Sequence, residues 1–136
     1  MRIGKQHYRE LVTKGLVDTA PRGRAKYGNA ETLRTIDGAA VRFASRAEAR
    51  RWDELLVLWQ AGSISRPLRQ TRWPLARDGQ RLAVYVADFY YLDLTASPAR
   101  EVVEDVKGCR TAVYRLKARL FLACYGFAIT EIGGRA

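Results

Sequence analysis

The stretch AVYVADFYYLDL, residues 83–94, decides the fold and raises the question of function. Nearly every side chain before Asp93 is apolar or aromatic, which is the pattern of a strand buried on both faces. Asp88 is the exception, and a buried carboxylate is costly unless it is ion-paired or binds a metal. The stretch therefore predicts an inner strand that carries a carboxylate with a partner.

The segments on either side predict an α/β fold. Before the inner strand, Ser45 to Gly62 has the apolar period of a helix, and RPLRQTRWPL, residues 66–75, is typical of an edge strand because two prolines bracket it. After it come a turn, the strand EVVEDVKG at 101–108, a helix capped by Thr111 and ending at Gly126, and the strand FAITEI at 127–132. The order is helix, three strands, helix, strand, with a mixed sheet.

Three finer predictions accompany this order. Asp37-Gly38 lies between two short alternating runs and predicts a small hairpin before the first helix. The buried faces of the helices are expected to be two apolar stripes. The first stripe is Glu48, Trp52, Leu55, Leu56 and Trp59, and the second is Val113, Leu116, Leu120, Phe121 and Cys124.

The net charge of the chain indicates what kind of partner it binds. The net charge is +10, from 24 Lys and Arg against 14 Asp and Glu, which favours a polyanion such as nucleic acid. The apolar runs are shorter than a bilayer span and the N-terminus lacks a signal-peptide core, so we expect a cytoplasmic protein without a membrane partner. Cys109, Cys124 and His7 stand in no zinc-site or disulfide pattern.

The chain divides into two parts by composition. Residues 1–28 are basic and rich in turn-forming residues, and they predict either a solvated tail or an arm that contacts DNA or a second copy of the chain. Residues 29–136 form the predicted domain.

Two carboxylates and a lysine are expected to meet across the second and third strands. Residues i and i+2 share a face of a strand, so Asp88 shares one with Val86 and Tyr90, and Asp105 shares one with Lys107. A short hairpin connection brings Asp88 opposite Asp105 or Lys107. Carboxylates at close range suit Mg²⁺, and a neighbouring lysine can act on an attacking water. The alternative is a structural ion pair between neighbouring strands.

These residues resemble those of a known family. Asp88, a turn, and Asp105-Val106-Lys107 on the next strand, with helices before and after, look like the PD-(D/E)XK nuclease superfamily and its αβββαβ core. KYGN at 26–29, FASRAEA at 43–49, YVADF at 85–89 and VVEDVKG at 102–108 resemble a set of short phage-associated proteins of that superfamily. Ala87 replaces the signature proline.

The resemblance implies a metal-dependent reaction. Asp88 and Asp105 would bind Mg²⁺ or Mn²⁺, the Val106 carbonyl would add a ligand, and Lys107 would act on the nucleophilic water. Glu48 is the matching glutamate of the first helix, although Ser45-x-x-Glu48 also reads as a capping box. Lys117 lies inside the second stripe, where it reaches the scissile phosphate or simply snorkels to solvent.

The expected function is a Mg²⁺-dependent endodeoxyribonuclease of the restriction-endonuclease-like fold. Gln70, Arg69, Arg72, Arg110 and Lys117 are the candidate DNA contacts, as positioning rather than base-reading groups. A branched DNA such as a Holliday junction is the expected substrate, and cutting two strands symmetrically predicts a homodimer. One alternative is a basic DNA-binding accessory protein that keeps the nuclease fold without turnover, and another is a protein that binds or cleaves RNA.

Overall fold

The computed structural model describes residues 31–107 and 109–133, so the predicted arm at 1–28 lies outside the described residues. From the first helix onward the elements follow the predicted order of helix, three strands, helix, strand. The elements are β1 Leu33–Ile36, β2 Ala39–Arg42, α1 Arg46–Gln60, β3 Leu68–Arg77, β4 Gln80–Asp93, β5 Arg100–Val106, α2 Ala112–Tyr125 and β6 Thr130–Ile132.

Four strands form the main sheet, in the order β3-β4-β5-β6. The pairs β3/β4 and β4/β5 are antiparallel, and β5/β6 is parallel. A parallel pair needs a crossover, which α2 provides. The sheet is therefore mixed, with β4 as an inner strand and β3 at an edge, as the sequence predicts.

Each face of the sheet carries its own hydrophobic cluster. Phe43, Trp52 and Phe89 belong to the cluster formed by α1 and the β1–β2 hairpin, whereas Trp73 and Phe121 belong to the cluster under α2. The Trp73 ring meets that of Phe121 edge-on, with centroids 5.3 Å apart. Burying such rings contributes much of the stability of a small domain.

The predicted hairpin at Asp37-Gly38 is present. Asp37 has φ 51° and Gly38 has φ 79°, which is the left-handed pair that a type I′ turn requires. β1 and β2 pair antiparallel on either side of it, and Val41 is buried against the α1 layer.

The first helix follows its predicted stripe except at its end. Ser45 caps it by accepting the Glu48 amide proton at 3.1 Å, and Glu48, Trp52 and Leu55 are buried. Trp59 is 40% exposed, so its predicted core position is wrong. It lies in the last turn, where the Arg66 guanidinium sits 5.8 Å from its ring centroid.

The second helix is capped as predicted, but it buries another face. Thr111 caps it at 3.1 Å and Gly126 ends it at φ 81°. Tyr114 and Phe121 are its buried residues, whereas three members of the predicted stripe, Val113, Leu116 and Cys124, are exposed. The aromatic rings bury more apolar surface against the aromatic-rich sheet than the aliphatic stripe would, so they set the rotation of the helix. Neither α1 nor α2 has the length and apolar character needed to span a bilayer.

The side-chain alternation of β4 breaks at Asp88. Ala87 and Tyr90 both belong to the cluster under α2, whereas Phe89 belongs to the cluster under α1. Gln70 of β3 has φ 51°, and the β3–β4 ladder steps from Arg69–Phe89 to Thr71–Ala87 around it. Strict alternation, which predicts that Val86 and Tyr90 share a face, is therefore wrong here: Val86 is 40% exposed and Tyr90 is buried.

Candidate active site

The site lies where β4 and β5 part. Their ladder runs as far as the pair Phe89–Glu104, and one further step places Asp88 opposite Asp105. On its other edge β5 pairs with β6 from Glu104 to Val106. The Val106 amide donates to Asp88 Oδ2 at 2.7 Å, which bridges the gap. This is the register on which the predicted meeting of the two carboxylates depends.

Asp105 is held from two sides. The Tyr85 hydroxyl donates to Asp105 Oδ2 at 2.6 Å, and Lys107 Nζ lies 2.9 Å from Oδ1. The carboxylate is buried, and charge-assisted contacts of this length are among the stronger hydrogen bonds in proteins. Burial, followed by the Asp105 charge, raises the pKa of Tyr85 well above its ordinary value, so Tyr85 remains a donor.

The lysine also contacts the second helix. Lys107 Nζ lies 3.9 Å from the centroid of the Tyr114 ring, within the range of a cation–π contact. Tyr114 hydrogen-bonds to Glu131, and Glu131 forms an ion pair with Arg110 at 2.8 Å. The ammonium is therefore placed between Asp105 and an aromatic ring that other groups hold in turn.

Glu48 reaches the same place from α1. Its side chain is 4% exposed and hydrogen-bonds to Asp88, and Gln70 Nε2 donates to Glu48 Oε1 at 3.3 Å. The Ala44 amide supplies a further hydrogen bond. Burial raises the pKa of the Glu48 carboxyl above its ordinary value. Glu48 thus both borders the start of the helix and faces the first predicted carboxylate.

Asp88 and Glu48 together hold a proton near neutral pH. Burial first, and the charge of Glu48 second, raise the pKa of Asp88 to about 7. Two carboxyls in contact favour one shared proton because both cannot ionise cheaply. The pair is therefore neutralised in part by a proton, a position that a cation can also take.

This pairing predicts that stability falls as pH rises. A carboxyl whose pKa is raised in the folded state stabilises the fold below its unfolded pKa of about 4, and that contribution is lost as pH rises through about 7. We expect the free energy of unfolding to fall by about 1–3 kcal/mol between pH 5 and 8.5 in EDTA. Thermal unfolding followed by circular dichroism measures it. Asp88→Asn is the control and should flatten the dependence; an equally steep profile in that variant contradicts the assignment.

The donor chemistry fits a hard divalent cation. Glu48, Asp88 and Asp105 offer carboxylate oxygens, the ligands that Mg²⁺ prefers. Across residues 31–107 and 109–133, however, no group of three or more His, Cys, Asp or Glu side chains is gathered closely enough to hold one ion. The carboxylates meet as neighbours, Glu48 with Asp88 and Asp88 opposite Asp105.

Comparison with known proteins identifies the family. A family profile described as "Protein of unknown function (DUF1064)" matches residues 24–130. The chain belongs to the DUF1064 family. No curated protein and no solved structure matches it significantly. The matched part of this DUF1064 chain contains both helices and every residue of the candidate site except Glu131.

The predicted DNA contacts of this DUF1064 protein lie in different settings. Arg69 is buried, with its guanidinium 4.2 Å from the Phe43 ring centroid and its charge near Glu48. Gln70 faces Glu48, and Lys117 is half-buried on α2 between Tyr114 and Phe121. The last two are on the surface: Arg72 is exposed on β3, and Arg110 is exposed beside Glu131.

Sequence reasoning missed three residues of the DUF1064 site: Tyr85, Tyr114 and Glu131. The signal for Tyr85 was its place in β4 three residues before Asp88, since a tyrosine buried in a strand needs a hydrogen-bond partner. Tyr114 and Glu131 come from α2 and β6, and no local pattern links either of them to Lys107.

Adjacent to the site, Glu104 points to the opposite face of β5. It is fully buried. Arg51 Nε donates to Glu104 Oε1 at 2.8 Å, and Arg51 Nη2 donates to Glu104 Oε2 at 2.6 Å. The Tyr91 hydroxyl donates to it as well. Glu104 therefore serves the packing of α1 on the sheet, in agreement with the prediction that it faces away from Lys107.

Proposed function

We propose that the protein is a metal-dependent endodeoxyribonuclease of the PD-(D/E)XK type. The observation that carries the proposal is Asp88 standing opposite Asp105 where two strands part, with Lys107 bound to Asp105. Two carboxylates and a lysine in that relation can serve metal-assisted phosphodiester hydrolysis.

The roles follow from the contacts. Asp88, Asp105 and Glu48 would hold Mg²⁺ or Mn²⁺ after drawing closer together than they stand here, with the Val106 carbonyl as a further ligand. When bound, such an ion supplies Lewis-acid stabilisation of charge on phosphate. Lys107 orients the attacking water as an ammonium or, in its neutral amine form, accepts the proton of that water, and Tyr85 holds Asp105 in place through its hydroxyl. Lys117 is proposed as a contact to the scissile phosphate.

The proposed substrate follows from the net charge and from the lack of a base-reading module in the sequence. A net charge of +10 favours a nucleic acid, and no base-reading module is evident in the sequence, so we propose recognition of DNA shape, as in a Holliday junction. A homodimer would place two sites for cutting two strands.

A panel of substrates tests this function. Supercoiled plasmid, linear duplex, single-stranded DNA and a four-way junction are incubated with Mg²⁺, Mn²⁺ or EDTA, and the products are resolved on gels. We expect cleavage that needs the metal and is greatest on the junction. Binding without cleavage under every condition contradicts the proposal.

One observation favours a second function, a DNA-binding accessory protein without turnover. Both oxygens of Asp105 are already engaged, by Tyr85 and by Lys107, and Lys107 also lies on the Tyr114 ring. Such a satisfied cluster also serves as a purely structural ion pair. Metal-dependent cleavage in the panel decides against this candidate.

A further inference from the structure

The far end of the β3–β4 hairpin is exposed. Seven consecutive residues, 76–82, are exposed to solvent. Asp78 at φ 52° and Gly79 at φ 78° form a tight two-residue turn of the type I′ kind. The hairpin therefore presents a well-ordered two-stranded ribbon rather than a loose loop. We call residues 71–87 the β3–β4 ribbon.

The ribbon has one covered face and one open face. Trp73, Leu75 and Tyr85 are buried in the cluster under α2. On the other face Arg72 is exposed, Val86 is 40% exposed and Leu82 is 52% exposed. The open face mixes aliphatic side chains with arginine.

The charge of the ribbon is positive. Three arginines, Arg72, Arg77 and Arg81, are exposed, and Asp78 is the single acidic residue between positions 71 and 87. Arg77 pairs with Gln80 directly beside the turn, and Arg81 pairs with Ala76 one step further along. Such a surface complements a polyanion and disfavours a second copy of a chain whose own net charge is +10.

The ribbon begins next to the candidate site. Arg72 pairs with Val86 across the ribbon, two residues along from Gln70 and Asp88 respectively. A strand rises about 3.3 Å per residue, so a duplex bound at the site would extend over the ribbon. The ribbon thus lies where DNA beside the scissile phosphate would run.

We propose that the β3–β4 ribbon is a docking element for double-stranded DNA, lying along the major groove with Arg72, Arg77 and Arg81 on flanking phosphates. The major groove is about 12 Å wide and admits a two-stranded ribbon, whereas a single strand offers no groove. The inference rests on the proposed function for the position of the duplex. It adds the class of substrate, which is a duplex arm next to the cleavage point.

Binding without cleavage tests the ribbon. The affinity of the full chain for a 20-base-pair duplex and for a 20-nucleotide single strand is measured by fluorescence anisotropy in EDTA at several salt concentrations. In the double variant R77Q/R81Q we expect duplex affinity to fall about tenfold and the salt slope to fall by about 2, with a smaller loss on the single strand. Gln80→Lys, which adds a charge at the exposed tip, should raise duplex affinity about threefold.

A matched pair of arginines provides the control. Arg115 and Arg119 are exposed on α2, which packs on the other face of the sheet, so R115Q/R119Q removes the same charge behind the ribbon. This variant should bind duplex within about twofold of the unmodified chain. Equal losses in both double variants, no loss in either, or failure of the unmodified chain to bind duplex DNA would each overturn the inference.

The same measurements separate the ribbon from the nuclease proposal. If duplex binding depends on the ribbon but the chain cleaves no DNA with any metal, the docking proposal is supported and the nuclease proposal is contradicted. If cleavage depends on Asp105, and both cleavage and duplex affinity are unchanged in R77Q/R81Q, the nuclease proposal is supported and the docking proposal is contradicted.

Discussion

Asp105→Asn should lower the rate of DNA cleavage by at least about a thousandfold, with DNA affinity nearly unchanged. The substitution keeps the size of the side chain and an oxygen for the Tyr85 hydroxyl, but it removes the charge that binds Lys107 and would bind a metal. A thousandfold loss corresponds to about 4 kcal/mol of transition-state stabilisation. Single-turnover cleavage of the best substrate in Mg²⁺, with anisotropy in EDTA for binding, measures both quantities.

Lys107→Met extends the same test to the lysine. Methionine keeps a long apolar side chain beside the Tyr114 ring while removing the ammonium, so we expect a comparable loss of cleavage. Asp37→Asn is the control, because it removes an exposed carboxylate in the β1–β2 turn and asparagine tolerates the φ of 51° there. Full-rate cleavage by both site variants would refute the mechanism.

Arg51→Met should destabilise the fold by about 3–5 kcal/mol. Arg51 is the bidentate partner of Glu104, which is 0% exposed, and its removal leaves an uncompensated charge inside the protein. The thermal midpoint should fall by more than about 10 °C for a domain of this size. Differential scanning calorimetry or urea unfolding at pH 7 measures the loss.

Two further variants isolate the cause. Glu54→Gln removes the other partner of Arg51, but Glu54 is 63% exposed, so that change should cost less than about 1 kcal/mol. In the double variant R51M/E104Q the buried charge is gone and an acceptor for the Tyr91 hydroxyl remains, so about half or more of the lost stability should return. If the double variant is no more stable than Arg51→Met, lost packing rather than buried charge is the cause.

The register of the central hairpin was predictable from sequence to within two alternatives, Asp88 opposite Asp105 or opposite Lys107, because it depends on local features. A short turn after Asp93 limits how β4 and β5 can pair, and the parity of a strand then separates Asp105 from Glu104. The order of the elements was predictable for the same reason, since each helix has a cap residue before it and a glycine after it.

The rotation of α2 was not predictable, because two faces of that helix are apolar. Counting apolar residues favours the stripe of Val113 and Leu116, which the structure leaves exposed. The choice depends on the surface opposite, where Trp73 and Tyr85 offer aromatic contacts to Phe121. That surface comes from other parts of the chain.

Long-range polar partners were unpredictable for a related reason. Arg51 and Glu104 are 53 residues apart, and nothing near either residue distinguishes this pair from other pairs of opposite charge. The break in alternation at Asp88 depends likewise on Gln70 in another strand, whose left-handed backbone is unusual for glutamine. Sequence patterns assume regular strands, and the candidate site occurs where regularity ends.

β4 contributes large side chains to both hydrophobic layers, with Tyr85 and Tyr90 on one side and Phe89 and Tyr91 on the other. Neither layer can come apart without disturbing this shared strand. We therefore expect a single cooperative unfolding transition. Amide protons of β4 should exchange only by global unfolding, and amide protons in the layers under α1 and under α2 should report the same opening free energy. The position of the Asp88 carboxylate, at the point where the alternation of β4 breaks, therefore depends on the stability of the whole domain.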